Sequence, residues 1–198
     1  MIRWTAIAGP GRAACLMLLV IACTACAAAR PDRPLEPVGD LQSLRRSALA
    51  LVNGERARHG LPALRATAPI TAAAQAHAED MARRNFYDHR SPEGRDVADR
   101  YRAHGGGLWA IVAENIASCI ACQIPREQLR TFHARWMESP GHRRNILDPR
   151  LQDFGFGIAA AGGRLYAVQA FVTERRDAYT MPPPVPRAAG RSFATFRR

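Results

Sequence analysis

Apolar residues recur at helical spacing in three long segments of the chain. The first begins after Asp40, the second follows Thr67, and the third runs from Pro125 to an expected break at Pro140. Aspartate accepts hydrogen bonds well at a helix N-terminus, and proline is tolerated in a first turn. A shorter helix over 96–104 is expected to end at a run of glycines. The pattern therefore predicts four helices.

Strand-like patterns lie mostly in the last third of the chain. Residues 110–117 form a short apolar segment, and residues 154–161 and 164–173 flank Gly162-Gly163 as a predicted β-hairpin. The second hairpin strand is apolar on both faces, which is typical of a sheet covered on both sides. The chain is thus predicted to be an α+β protein, a three-layer α-β-α sandwich around an antiparallel β-sheet.

The first 29 residues have the layout of an export signal. An apolar run over 13–22 follows two arginines and precedes small residues, and it is too short to span a bilayer comfortably. The residues before Cys23 resemble a lipobox, which would make Cys23, or alternatively Cys26, the lipidated start of a membrane-anchored protein. We favour the lipidated protein, although residues 27–29 also fit ordinary signal-peptidase cleavage, which would give a periplasmic or secreted protein.

The remaining chain divides by composition. We expect residues 30–39 to form a Pro-rich linker, residues 40–177 a folded domain, and residues 178–198 a disordered basic tail. The net charge is +11 and all 28 basic residues are arginine. Because the arginines are scattered among acidic residues and accompany no recognition motif, we expect no nucleic-acid partner.

Several segments of the predicted domain form a recognisable series. They are Leu51-Val52-Asn53 with Gly60–Leu64, Asn85–Arg95, Ala113–Ala117, Trp136–Leu147, and Gly155-Phe156-Gly157 with Tyr166–Phe171. In this order the segments resemble the CAP superfamily of cysteine-rich secretory, antigen 5 and pathogenesis-related proteins, and in particular its bacterial SCP-like domain. The resemblance implies the same three-layer fold and a cleft that collects two histidines and two acidic residues.

Three residues match this cleft. They are His89, Glu114 and His142, each from a different segment of the series. The fourth, acidic position is occupied by Ser139 here, and Glu138 lies one residue earlier. One residue turns a helix by about 100°, so Glu138 is expected to point elsewhere. The set of four is therefore incomplete in this chain.

Three roles are open for His89, Glu114 and His142. They could bind zinc or another divalent cation, since two imidazoles, a carboxylate and water form a known zinc arrangement. They could perform acid–base chemistry without a metal, with Glu114 orienting a histidine that activates water. They could also satisfy one another in a purely structural cluster. No nucleophile motif such as Gly-x-Ser-x-Gly accompanies them.

These roles lead to two functional hypotheses. The first is an exported envelope protein whose cleft binds a small molecule, a lipid, an envelope component or a divalent metal. The alternative is a metal-dependent hydrolase or peptidase that uses His89, Glu114 and His142. A scaffold of this kind can host many activities, so the family resemblance alone does not choose between them.

One cysteine pair lies close to the predicted site. Cys119 and Cys122 are separated by two residues and follow the strand that carries Glu114. In an oxidising compartment we expect them to form a local disulfide. Free thiols, redox activity or metal binding are the alternatives, although the strand–Cys-x-x-Cys–helix order of thioredoxin-like units is missing from the pattern.

Overall fold

The computed structural model describes residues 31–122 and 125–174 of the chain. The predicted export segment with Cys23 and Cys26, and the predicted basic tail over 178–198, lie outside the described residues. The helices are α1 (Leu41–Arg58), α2 (Ala68–Arg84), α3 (Val97–Ala103), α4 (Pro125–Glu138) and α5 (Pro140–Ile146). The strands are β1 (Arg65–Ala66), β2 (Trp109–Ile120), β3 (Asp153–Ala161) and β4 (Arg164–Glu174).

The strands form one sheet in the order β1-β3-β4-β2. The predicted hairpin joins β3 to β4 in antiparallel register, and its turn uses Gly162 and Gly163 at φ +58° and +68°, a region that favours glycine. β2 lies antiparallel to β4 on the far side of the hairpin. The two-residue β1 pairs in parallel with the start of β3, so the sheet is mixed at that edge.

Helices cover both faces of the sheet. On one face, α1, α4 and α5 bury an apolar cluster that includes Phe156 and Trp136. On the other face, α2 and α3 bury a cluster that includes Met81 and Tyr101. Successive residues of a strand point to opposite faces, and β3 is buried along its whole length because both faces are covered. The predicted three-layer α+β sandwich is therefore confirmed.

Three elements differ from the sequence prediction. β2 is longer than the predicted segment 110–117, because its pairing with β4 continues as far as Ile120. Pro140 does not simply end a helix: it lies in the first turn of α5, where its missing N–H removes no hydrogen bond. β1 was not predicted, since two residues carry no detectable strand pattern.

A buried arginine links the loop after α1 to the loop after α5. Arg56 of α1 is fully buried and donates to the carbonyl oxygens of Pro62, Ile146, Asp148 and Leu151 at 2.7–3.4 Å. Burial lowers the pKa of this guanidinium. The contacts join the end of α1 to the segment between α5 and β3, and so help to position the helix that carries His142.

The ends of the described domain are also tied to the sheet. The backbone N–H of Glu36 donates to the carbonyl of Ala160 at 2.7 Å, so the predicted linker crosses the edge of β3. Cys119 and Cys122 form the predicted disulfide, with their Cα atoms 6.0 Å apart.

Among the described residues, no helix is both long and apolar enough to cross a membrane.

Candidate functional site

The fold brings the three predicted site residues close together, and we call the region that they share the cleft. His89 lies in the loop between α2 and α3, Glu114 lies in β2, and His142 lies in α5. Glu114 is 8% exposed, and its Oε1 lies 2.9 Å from Nδ1 of His89. A carboxylate only accepts hydrogen bonds, so Nδ1 of His89 carries the proton. The His89 side chain is 54% exposed, so its other edge, with Nε2, remains available to the cleft.

An arginine that the sequence analysis did not single out completes the buried charge cluster. Arg100 of α3 is buried, and one of its terminal nitrogens donates to Oε2 of Glu114 at 2.6 Å. The guanidinium also donates to the backbone carbonyls of His89 and Arg95 at 3.0–3.2 Å. Arg100 therefore fastens the His89 loop to β2. Its position three residues after Val97, on the inner side of α3, is a signal that could have revealed it.

His77 of α2 is a second buried neighbour of the site. It is fully buried, its Nε2 donates to the carbonyl of Asp88 at 2.8 Å, and the same nitrogen lies 3.8 Å from Oε1 of Glu114. Burial lowers the pKa of His77 more than the charge of Glu114 raises it. His77 is thus a neutral hydrogen-bond donor that holds the residue preceding His89 in place.

His142 is positioned through a network of side-chain amides. Asn115, the residue after Glu114, donates to the carbonyl of His142 at 3.2 Å and to Oε1 of Gln169 at 3.1 Å. Asn145 of α5 in turn donates to the carbonyl of Glu114 at 3.2 Å and to Oδ1 of Asn115 at 2.8 Å. These contacts fix α5 beside β2. The half-buried His142 side chain makes no hydrogen bond within the described ranges.

The two histidines differ in electrostatic setting. The hydrogen bond that His89 donates to Glu114 raises the pKa of His89 above its ordinary value. Burial lowers the pKa of His142, and the charge of His89 lowers it further. As the pH falls, His89 therefore gains a proton first, while His142 keeps a free ring nitrogen to lower pH. The cleft therefore combines His89, whose protonated imidazolium form is favoured, with His142, whose neutral imidazole form is favoured.

The contacts of Glu114 bear on which residues could hold a metal. Residues 31–122 and 125–174 contain no group of three or more His, Cys, Asp or Glu side chains placed to bind a metal ion. Each oxygen of the buried Glu114 carboxylate accepts one hydrogen bond, Oε1 from His89 and Oε2 from Arg100, which places Glu114 as the residue that orients His89. The donor set that fits a cation is the outer nitrogen of His89 and the ring of His142, with Glu114 as the orienting carboxylate.

The segment that should supply the fourth, acidic residue of the cleft places no acid there. Ser139 is the residue between α4 and α5, and Glu138 is exposed at the end of α4. Among the described residues Glu138 takes part in no hydrogen bond or ion pair. As expected from the one-residue offset, the chain places no acid from this segment in the buried charge cluster.

The fold and the order of its segments define a three-layer α-β-α domain with two histidines and a buried carboxylate close together, and comparison with known proteins identifies the family. The model of the cysteine-rich secretory protein family, CAP, matches residues 49–172. The chain therefore belongs to this family. The matched range lies inside the predicted domain over 40–177.

Among the relatives, the uncharacterized protein YkwD of Bacillus subtilis (strain 168) is 30% identical over 122 residues, which cover 62% of this chain and 45% of that protein. An extracellular protein containing a SCP domain from Bacillus anthracis superposes with a TM-score of 0.56 at 26% identity, over 67% of this chain and 41% of its own. An outer surface protein of Borrelia burgdorferi superposes with a TM-score of 0.62 at 14% identity, over 72% of this chain and 99% of its own. The chain spans less than half the length of both Bacillus proteins.

Proposed function

We propose that this protein is exported to the cell envelope and that its cleft binds a small ligand through His89 and His142. The observation that carries the proposal is the 2.9 Å hydrogen bond between Glu114 and Nδ1 of His89. It turns the outer edge of a half-exposed imidazole toward the cleft and fixes the ring, while Glu114 itself stays buried. A purely structural ion pair would not need an exposed third member, since Arg100 already neutralises Glu114.

A divalent cation such as zinc is the ligand that this donor set fits best. A carboxylate that accepts from one ring nitrogen makes the opposite nitrogen a better donor to a metal and holds the ring in one orientation. When bound, the cation would supply Lewis acidity and a point of attachment for a further ligand. This chain's own contribution is the fixed ring of His89, the neighbouring ring of His142 and the network of Asn115 and Asn145 that positions α5.

Placement in the envelope is supported by two observations. The first residues have the pattern of an export signal with a lipidation candidate at Cys23, or alternatively Cys26. The Bacillus anthracis relative is described as an extracellular protein. The partners proposed on this basis are a small molecule, a lipid or another envelope component, and a membrane through a lipid anchor if Cys23 is modified.

Hydrolysis, the alternative prediction, is not favoured by any specific contact in the site. In that alternative the general base would be a histidine, either His89 oriented by Glu114 or His142. The same contacts serve ligand binding, and no nucleophile motif accompanies them in the sequence. Binding therefore remains the proposed function.

We expect zinc to bind the purified protein with measurable heat at about pH 7.5 and at least tenfold more weakly at about pH 5.5, because protons compete for imidazole nitrogen. The sign follows from His89: its pKa is raised, so protonation removes the free nitrogen as the pH falls. Isothermal titration calorimetry measures both affinities.

The variants His89→Ala and His142→Ala should each abolish this binding. His104→Ala is the matched control, because it also removes one imidazole but from an exposed site at the end of α3. If the control and the cleft variants lose binding equally, or if none does, zinc binds elsewhere and the proposed site is wrong.

A further inference from the structure

A groove separate from the histidine cleft opens along one edge of the sheet. It lies between α1 and α2, on opposite faces of the sheet, and has a volume of about 660 Å³. β1 pairs only with Asp153 and Phe154, and Glu36 pairs only with Ala160. Between these points, residues 155–159 of β3 have no strand beside them on this edge within the part of the chain that the structure describes.

A side-chain amide substitutes for a neighbouring strand at the centre of this edge. The N–H of Ile158 donates to Oε1 of Gln75 at 3.3 Å, and Nε2 of Gln75 donates to the carbonyl of Ile158 at 3.0 Å. An adjacent antiparallel strand exchanges the same two hydrogen bonds with one residue. Arg45 donates to the carbonyl of Phe156 at 3.3 Å and to Oε1 of Gln75 at 3.2 Å. Arg45 and Gln75 thus lie between the groove and the buried edge of β3, so a peptide could pair with this edge once these two side chains move aside.

We propose that this groove is a β-strand addition site for an extended, acidic peptide segment of a partner protein. The edge already accepts strand pairing on both sides of the gap, from β1 and from Glu36, so an added segment would continue an existing sheet. Main-chain hydrogen bonds to an exposed sheet edge are an established mode of peptide recognition. The peptide would displace Gln75 and take over its two hydrogen bonds to Ile158.

The charges and sizes of the groove side chains select the peptide. Side chains of an added strand would alternate between the α1 side and the α2 side. On the α1 side, Arg46 is exposed and makes no hydrogen bond or ion pair within the described residues, and Arg45 would be released from Gln75. On the α2 side, Ala72 and Ala76 line the groove and leave room for apolar side chains. The matching pattern alternates acidic and apolar residues.

Glu79, which also lines the groove, is compatible with an acidic peptide. Glu79 already accepts from Gln75 at 3.1 Å and from Arg83 at 3.3 Å. The groove therefore presents an uncompensated positive charge, in a chain whose net charge is +11. A basic peptide, including one with the composition of the chain's own C-terminal residues, would be repelled rather than bound.

The test uses a fluorescent peptide of about eight residues that alternates Glu and Val, with a Lys–Val peptide of the same length as its counterpart. We expect the acidic peptide alone to raise the anisotropy when the full-length protein is added. Gln75→Ala should strengthen binding, because the competing amide is gone, although a merely structural role for Gln75 would predict no gain. Arg46→Glu should weaken binding severalfold.

Controls separate this site from the cleft and from other occupants. Arg135→Glu, at an exposed position of α4, should leave binding of the acidic peptide unchanged. His89→Ala should also leave it unchanged, so this test is independent of the proposed ligand binding in the cleft. Hydrogen exchange of the Ile158 amide in Gln75→Ala should slow when the acidic peptide is bound. Equal binding of both peptides, no response to Arg46→Glu, or a dimer of this chain that occupies the edge in sedimentation would each overturn the proposal.

Discussion

Glu114→Gln is expected to destabilise the folded protein by about 3–5 kcal/mol, the range found when one partner of a buried ion pair is removed. The neutral amide would leave the buried guanidinium of Arg100 without a counter-charge. It would also remove the main cause of the raised pKa of His89, which should move down toward its ordinary value. Urea unfolding measures the first effect and an NMR titration of the His89 ring the second.

An exposed pair of the same kind is the matched control. Arg84 and Glu93 also approach to 2.6 Å, but Glu93 is about half exposed, so Glu93→Gln should change stability little. The double variant Glu114→Gln with Arg100→Met should recover part of the loss, because no unpaired charge remains buried. Equal effects of Glu114→Gln and Glu93→Gln would show that the cluster does not fix the His89 loop.

Gly157→Ala is expected to cost about 3 kcal/mol, at the upper end of the usual range for overpacking a core. A Cβ at this position would lie 2.3 Å from the carbonyl oxygen of Ala74 in α2, far closer than atoms tolerate. The neighbouring atoms belong to helix backbone rather than to a flexible side chain, so α2 would have to move away from the sheet. Thermal or urea unfolding measures the loss.

Gly54→Ala is the matched control for Gly157→Ala, and we expect it to stabilise the protein. Gly54 lies inside α1, and the nearest atom to its added Cβ is a guanidinium nitrogen of Arg58 at 4.0 Å. Alanine is a better helix former than glycine by about 0.5–1 kcal/mol, so this variant should be more stable than the parent. Similar stabilities for the two variants would mean that α2 does not contact β3 as closely as described.

Most of the helices and the hairpin could be predicted because their signals are local. Asp40 accepts from the N–H groups of Gln42 and Ser43 at the start of α1, as its residue type suggests. The glycine pair at 162–163 adopts the positive φ values that the hairpin turn needs. By contrast, β1 is specified only by its pairing with β3, a long-range contact that two residues of sequence cannot signal.

The residues of the candidate site could be predicted from the sequence, but the hydrogen bonds between them could not. The motifs identified His89, Glu114 and His142 as neighbours, yet they did not indicate that Arg100 takes one oxygen of Glu114 and His89 the other. That arrangement depends on the packing of α3 against β2. It agrees with the orienting role of Glu114, which was one of the roles that the sequence left open.

The most direct measurement is long-range ¹H–¹⁵N NMR of the histidine rings during a zinc titration at about pH 7.5, where free imidazole nitrogens are available. The account predicts that Nε2 of His89 and a ring nitrogen of His142 shift together up to one equivalent, while Nδ1 of His89 stays protonated toward Glu114. Rings that do not respond, or coordination through Nδ1 of His89 with loss of the Glu114 contact, would contradict it.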